Sequence, residues 1–216
     1  SVGEAMAIGR TFKEAFQKCV RSMEIQRSGY GLDRNDRWLA DAHERHAAGA
    51  HDAYRALPER GEPVLLGSRQ GEAPPDTDES TATSWPIDPQ ALEDKLRRPC
   101  QGRPYYIRYA FKLGWTIEEV HQLTHIDPWF LRQMAELVEF EGELLSRAPE
   151  ARAALAEKDP GSELMRRARL YGYSRAQLAH ALQVAEPEGG GSDQGSCCKL
   201  VDTCAAEFAA ATPYYY

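Results

Sequence analysis

The sequence predicts a mainly α protein: a helical bundle built from two similar helix–glycine–aromatic–Ser/Thr–helix hairpins around one long helix, with irregular linkers. Three observations carry that reading. Between Leu113 and Leu145, Gly114 suits the left-handed position that ends a helix, Thr116 and Glu119 have the spacing of a capping box, and Trp115 and Val120 that of a hydrophobic staple. Asp127 followed by Pro128 then opens a long helix, because an aspartate accepts from orphan amides and a first-turn proline lacks the amide that would go unbonded; Phe130, Met134, Leu137, Val138, Leu144 and Leu145 recur near the helical period on one face. Finally, Ala110, Gly114, Trp115, Thr116, Glu119, Val120 and Ile126 recur, at one constant offset, as Ala168, Gly172, Tyr173, Ser174, Gln177, Leu178 and Val184. Two such hairpins flanking one long helix bury their narrow apolar faces as a compact bundle.

The elements follow in order. Residues 1–12 are an irregular, glycine-containing lead. Thr11 with Glu14 has capping-box spacing and opens a helix whose apolar side is Phe12, Ala15, Phe16, Cys19, Val20 and Met23, ended by Gly29 to Leu32. Gly3 and Gly9 do not make a phosphate loop, since their spacing is wrong and no lysine follows. Residues 33–57 are charged and alanine-rich, with a helix expected around Trp38, Leu39, Ala42 and Tyr54. His43, His46 and His51 lie here. His43 and His46 stand one turn apart, but the pattern of a zinc helix is absent and they read as a solvated face. Residues 58–85 have the composition of a mobile linker. Asp88-Pro89 caps the next helix, with Leu92 and Leu96 buried and Pro99 as its stop; a helix over 104–113 carries Tyr106, Ile107, Ala110 and Phe111 to the Gly114 corner. The long helix from Asp127 is expected to end near Pro149, and Ser162 to cap the helix that holds Leu164, Met165 and Leu170. A glycine-rich linker follows from Glu186, and Val201 to Phe208 is rich in small residues.

Size and charge narrow the function. A chain of 216 residues suits one or two domains with one small core, which does not favour a compact single-domain enzyme. A formal charge of -7 disfavours nucleic acid as a partner, because counterion displacement needs a concentrated basic surface. No apolar run is long enough to cross a bilayer and no leader pattern opens the chain, so no membrane partner is expected and a cytoplasmic setting is the default. The five cysteines are odd in number, Cys197 and Cys198 are adjacent, and reduced thiols are expected. Opening on Ser1 and closing on Pro213-Tyr214-Tyr215-Tyr216, the chain reads as an excised fragment.

Three stretches, in order, resemble the large chain of carbamoyl-phosphate synthase: Ser-Val-Gly-Glu-Ala-Met-Ala-Ile-Gly-Arg-Thr-Phe at residues 1–12, Ile-Asp-Pro-Trp-Phe-Leu at 126–131, and Val-Asp-Thr-Cys-Ala-Ala-Glu-Phe at 201–208. Leu92, Lys95, Leu96, Pro99 and Arg103 also fit that family's Leu-x-x-Lys-Leu-x-x-Pro-x-x-x-Arg lead-in to its helical middle domain. The resemblance implies a parent ligase that makes carbamoyl phosphate from bicarbonate, glutamine-derived ammonia and two ATP, with two ATP-grasp halves, magnesium or manganese, and a glutaminase small subunit. It implies the following division: 1–30 as the tail of the first ATP-grasp half, 31–87 as a charged helix and flexible linker, 88–186 as the helical oligomerisation domain, 187–200 as a linker, and 201–216 as the start of the second half. The family's nucleotide, metal and tunnel motifs have no counterpart here, so no catalytic, cofactor-binding or metal position is carried over. The glycine tract before Val201 and the length of the 31–85 region depart from the family pattern.

That resemblance makes the chain a connecting and oligomerisation module with homo-oligomer contacts through its helices. Against an interface role, Trp129, Phe130 and Leu137 read first as core, since aromatics on an amphipathic helix more often pack inward. The alternative is a helix-turn-helix-like DNA-binding module: Tyr173 to Val184 has the look of its first helix, and Arg166, Arg167, Arg169 and Arg175 supply charge, but Pro187 and glycines stand where a recognition helix belongs. A catalytic role would fall to His121 and His125, one turn apart, or to Cys204. The histidines lack a third ligand, and the acidic and small neighbours of Cys204 discourage a thiolate.

Overall fold

A computed structural model describes residues 4–23, 25–50, 53–54, 87–157, 161–185, 200–201 and 214–215. The expected linkers at 58–85 and 187–200, His51, and Cys204 lie outside the described residues. Mainly helical architecture is what the described residues adopt: α1 (Phe12–Ser22), α2 (Arg37–Ala47), α3 (Pro89–Arg97), α4 (Arg103–Lys112), α5 (Ile117–Thr124), α6 (Pro128–Ser146), α7 (Ala148–Ala156), α8 (Glu163–Leu170) and α9 (Arg175–Ala181). A two-residue antiparallel pair, β1 (Leu200–Val201) with β2 (Tyr214–Tyr215), completes them, in the register Leu200 opposite Tyr215.

Local signals set the boundaries. The side chains of Asp88, Thr116, Asp127, Ser162 and Ser174 each accept a backbone amide at their helix start, and both arms of the capping box form at Thr116–Glu119 and at Ser174–Gln177. Gly114 and Gly172 sit at φ 78 and 81, and the amides after them, of Trp115 and Tyr173, both reach back 3.0 Å, to the carbonyls of Ala110 and Ala168. His125 and Gln183 are likewise both left-handed, at φ 55 and 54. An arginine then donates to the matching carbonyl of each hairpin: Arg103 of α4 to Thr124, 3.1 Å, and Arg152 of α7 to Leu182, 2.7 Å.

The long central helix α6 packs against α1, α4, α5 and α7, and α1 also meets α8. Leu131, Leu137, Phe140, Leu144 and Leu145 of α6 are buried with Leu92, Leu96, Ile107, Val120, Leu164, Ala168 and Leu182 in one core.

Four expectations are corrected. Pro149 does not merely stop the long helix: α6 ends at Ser146 and Pro149 sits in the first turn of a further helix, α7, where a missing amide costs nothing. The first helix ends at Ser22, well before Gly29, and residues 25–36 become an irregular strap. At Thr11 only one arm of the box forms, because the Glu14 carboxylate takes the amide of Arg10 instead of that of Thr11. The apolar side of α1 is only partly its buried side: Val20 is buried as expected and Phe12 and Phe16 pack half-buried against the core, but Lys13 and Gln17 also face inward, Ala15 and Cys19 are half-buried, and Met23 is exposed. On that polar inward face Lys13 forms an ion pair with Glu136 and donates to Gln133 at 3.0 Å, while Gln17 Nε2 is buried with no acceptor among the described residues.

Residues 29–33 of the strap are buried, which demands partners for their backbone. They come from side chains on both sides. The Tyr30 amide donates to Gln17 Oε1 at 2.7 Å, the Leu32 amide to Asp36 Oδ2 at 2.8 Å, Gln177 Nε2 donates to the Gly31 carbonyl at 2.8 Å, and Ser174 Oγ to the Ser28 carbonyl at 3.2 Å. At Gly31 a Cβ would stand 2.3 Å from Arg108 Nε, so only glycine fits.

Arg108 is the reason for that proximity. Its guanidinium forks onto Asp36 at 2.6 and 3.1 Å and onto Glu141 at 2.7 and 3.1 Å, and Lys112 Nζ reaches Glu141 at 2.9 Å while lying 3.5 Å from the centroid of the Trp38 ring. All four charged groups are buried. Two cations and two anions balance, which is what allows them to leave water. Burial alone would raise the Asp36 carboxyl, but the Arg108 guanidinium and the Leu32 amide outweigh it and hold the group below its ordinary range. Burial opposes the charge on Arg108 too, yet Asp36 and Glu141 raise its pKa well above the usual value.

Two outcomes follow from this cluster. Glu141→Gln leaves Arg108 and Lys112 short of one anion, and denaturant unfolding should register a loss of about 3–5 kcal/mol. Because the folded value of Asp36 is depressed, its contribution is complete above about pH 4, where the unfolded carboxyl is ionised, and fades as pH falls through the folded value. The stability gap between wild type and Asp36→Asn, followed by urea unfolding against pH, should therefore close in acid and stay constant from pH 5 to 7.

Candidate functional site

What this fold holds outward is aromatic. Trp129 and Phe130, the second and third residues of α6, are 53% and 42% exposed, against the expectation that they join the core; Leu137, two turns further on, is fully buried as expected. Phe12, at the start of α1, is their neighbour: its ring centroid stands 5.7 Å from that of Trp129 and 5.2 Å from that of Phe130, in edge-on geometry, and the latter two are 5.0 Å apart. Phe16 stacks on Phe12 at 5.5 Å and continues inward to Tyr30 at 4.9 Å. Met6, at 63% exposure, lies in the lead to α1. The patch is rigid because α1 is held on the bundle by Lys13, by Gln17, and by Arg21, which donates to the Gly172 carbonyl at 2.7 Å.

The titratable candidates are placed elsewhere and are not brought together. His43 Nε2 lies 3.0 Å from the Ala181 carbonyl, and burial lowers its pKa. Its ring and that of His46 pack on Tyr54, with centroids at 5.9 and 5.0 Å, so both act in holding Tyr54 against α2. His121 Nδ1 is 2.7 Å from the Ile126 carbonyl and closes the corner before α6, while His125 is the exposed left-handed cap of α5. Among the described residues no three His, Cys, Asp or Glu side chains are grouped to hold a metal ion, and no helix is long and apolar enough to cross a membrane.

The arginines of α8 do not form a basic face. Arg166 pairs with Glu163 at 2.6 Å and Arg167 with Glu143 at 2.7 Å, and α9 turns Gln177, Leu178, Ala179 and Ala181 into the protein. The buried cluster at Arg108 went unseen in the sequence. Its signal is there, as Arg108 and Lys112 interrupt an otherwise aromatic and aliphatic run one turn apart, but their partners are far away in the chain.

Comparison with known proteins identifies the family. The family model described as "Carbamoyl-phosphate synthetase large chain, oligomerisation domain" matches residues 4–57 and 68–189. The carbamoyl phosphate synthase large chain of Archaeoglobus fulgidus is 34% identical across this whole chain, which covers 16% of that relative; the one of Rhodopirellula baltica is 36% identical, again with 16% covered. A relative from Methanopyrus kandleri named as the N-terminal section of that large chain is 34% identical, with 31% covered. The chain thus spans less than a third of the length of each of these relatives. These comparisons bring no support to a DNA-binding role. The chain belongs to the family of the carbamoyl-phosphate synthetase large-chain oligomerisation domain.

Proposed function

We propose that this chain is the connecting and oligomerisation region of a carbamoyl-phosphate synthase large chain. The parent would make carbamoyl phosphate from bicarbonate, glutamine-derived ammonia and two ATP, in the cytoplasm, with a glutaminase small subunit beside it. Nucleotide and magnesium or manganese would be held in the two ATP-grasp halves outside the helices described here. Within these helices the buried carboxylates of Asp36 and Glu141 are taken by Arg108 and Lys112, so they do not fit a metal–nucleotide site. Its parts would be 1–30 as the tail of the first ATP-grasp half, 31–87 as a charged helix and linker, and 88–186 as the helical oligomerisation domain, with α1 and the strap held on that bundle through Gln17 and Asp36 and the family match reaching back to residue 4. Residues 187–200 and 201–216 remain the linker and the threshold of the second half.

The observation that carries the assembly role is the Phe12–Trp129–Phe130 patch. Exposed aromatics clustered on a rigid support are characteristic of protein interfaces, where they contribute area at little entropic cost. They are also free to be changed, since truncation opens no cavity in the core.

Light scattering after size exclusion, at rising concentrations, tests this. The wild-type chain should gain mass with concentration, and Trp129→Ala combined with Phe130→Ala should weaken association at least tenfold while thermal unfolding of the monomer stays nearly unchanged. A chain that is monomeric at every concentration, or a double variant that associates as well as wild type, would contradict the assembly role.

A further inference from the structure

The two hairpins are copies in sequence and geometry, yet only one of them is covered. In the second, α8 to α9, the cap face is occupied from within the chain: α1 crosses so close to Gly172 that a Cβ there would meet Glu14 Cα at 2.8 Å and Gln17 Cβ at 3.1 Å. Arg21 of α1 donates to the Gly172 carbonyl, Ser174 Oγ donates to the strap at Ser28, and Gln177 to the strap at Gly31. Gly172 and Gln177 are buried as a result.

In the first hairpin, α4 to α5, the matching positions are Gly114, Thr116 and Glu119. Gly114 and Thr116 are exposed, and nothing lies within 4 Å of where a Cβ on Gly114 would stand. The rest of this hairpin is tied down as in its twin: α5 packs on α3 and α6, and its last carbonyl receives Arg103 as that of α9 receives Arg152. What differs is charge. The first turn of α5 carries Glu118 and Glu119 where α9 has Ala176 and Gln177, and Glu118 is exposed.

We propose that the cap face of the first hairpin, formed by Gly114, Thr116 and the exposed Glu118, docks a basic helix from a part of the same polypeptide outside residues 1–216. A helix is the occupant that the covered twin accepts, and a glycine in the left-handed position lets a helix backbone approach without a side chain between. Basic residues complement the exposed Glu118 carboxylate and the negative end of α4, whereas Glu119 is already held by Thr116 in the capping box. The occupant comes from the same polypeptide because the relatives extend well beyond the aligned region: this chain amounts to 16% of the large chains from Archaeoglobus fulgidus and Rhodopirellula baltica. This face is separate from the Phe12–Trp129–Phe130 patch and rests on the parent being a large chain of that kind.

The test uses the wild-type full-length polypeptide, treated with a zero-length carbodiimide that joins carboxylates to amines and mapped by mass spectrometry, with an isotope-labelled copy mixed in. The expected product joins Glu118 to a lysine outside residues 1–216 of the same copy. In parallel, amides 116–120 should exchange with deuterium at least tenfold more slowly in the full-length protein than in the 216-residue chain. Links confined to residues 1–216, links found only between copies, or absence of both the link and the slowed exchange would overturn the proposal. Carbamoyl phosphate formation by the full-length protein is measured separately; its absence would remove the functional reading, whereas a map without the expected link in an active enzyme would remove the docking face alone.

Discussion

Everything in this molecule is arranged around one guanidinium. Arg108 stands in the core with a carboxylate on either side, Asp36 from the start of α2 and Glu141 from the middle of α6, and so joins three segments distant in the chain. Such a centre is no simple source of stability, because the cost of taking charges out of water offsets most of their attraction. What it supplies is position. The placement of the strap that puts Asp36 on Arg108 also brings Tyr30 and Gly31 to Gln17 and Gln177. Lys112, lying over Trp38, completes the charge balance and secures α2 to α4.

From this follows the status of α1. A helix near one end of a helical unit can swing on its linker. Here Lys13, Gln17 and Arg21 each make a directed bond to a different element, and Gly172 admits the helix to van der Waals contact. The α1 helix is therefore part of the bundle, and the aromatic patch that it shares with α6 is a fixed surface. A fixed aromatic surface suits a module whose role is to hold other bodies in place, since little conformational entropy is lost when it is covered.

Much of the helical architecture was legible because its signals are local. Capping boxes at Thr116 and Ser174, Asp–Pro starts at Asp88 and Asp127, and glycines at 114 and 172 each specify a boundary through contacts within a few residues, and each formed. The failures share the opposite property. Nothing near Lys13 or Gln17 in the chain says that these residues face inward; their partners are Glu136, Gln133 and the Tyr30 amide. The strap has no periodicity, as its backbone is satisfied by side chains instead of by a ladder. Trp129 and Phe130 are core residues by type, and periodicity does not tell that they stay exposed beside Phe12. Pro149 fits a stop and a first turn equally well, and only the packing of α7 decides between them.

The central claim is that α1, the strap and the α4–α6 core form one cooperative body. Native-state hydrogen exchange of the chain against denaturant measures it most directly. One body predicts that the amides of Gln17 to Val20 in α1 and of Leu137 to Glu141 in α6 open at the same free energy and with the same denaturant dependence. An α1 that opens about 3 kcal/mol or more below α6 would contradict it.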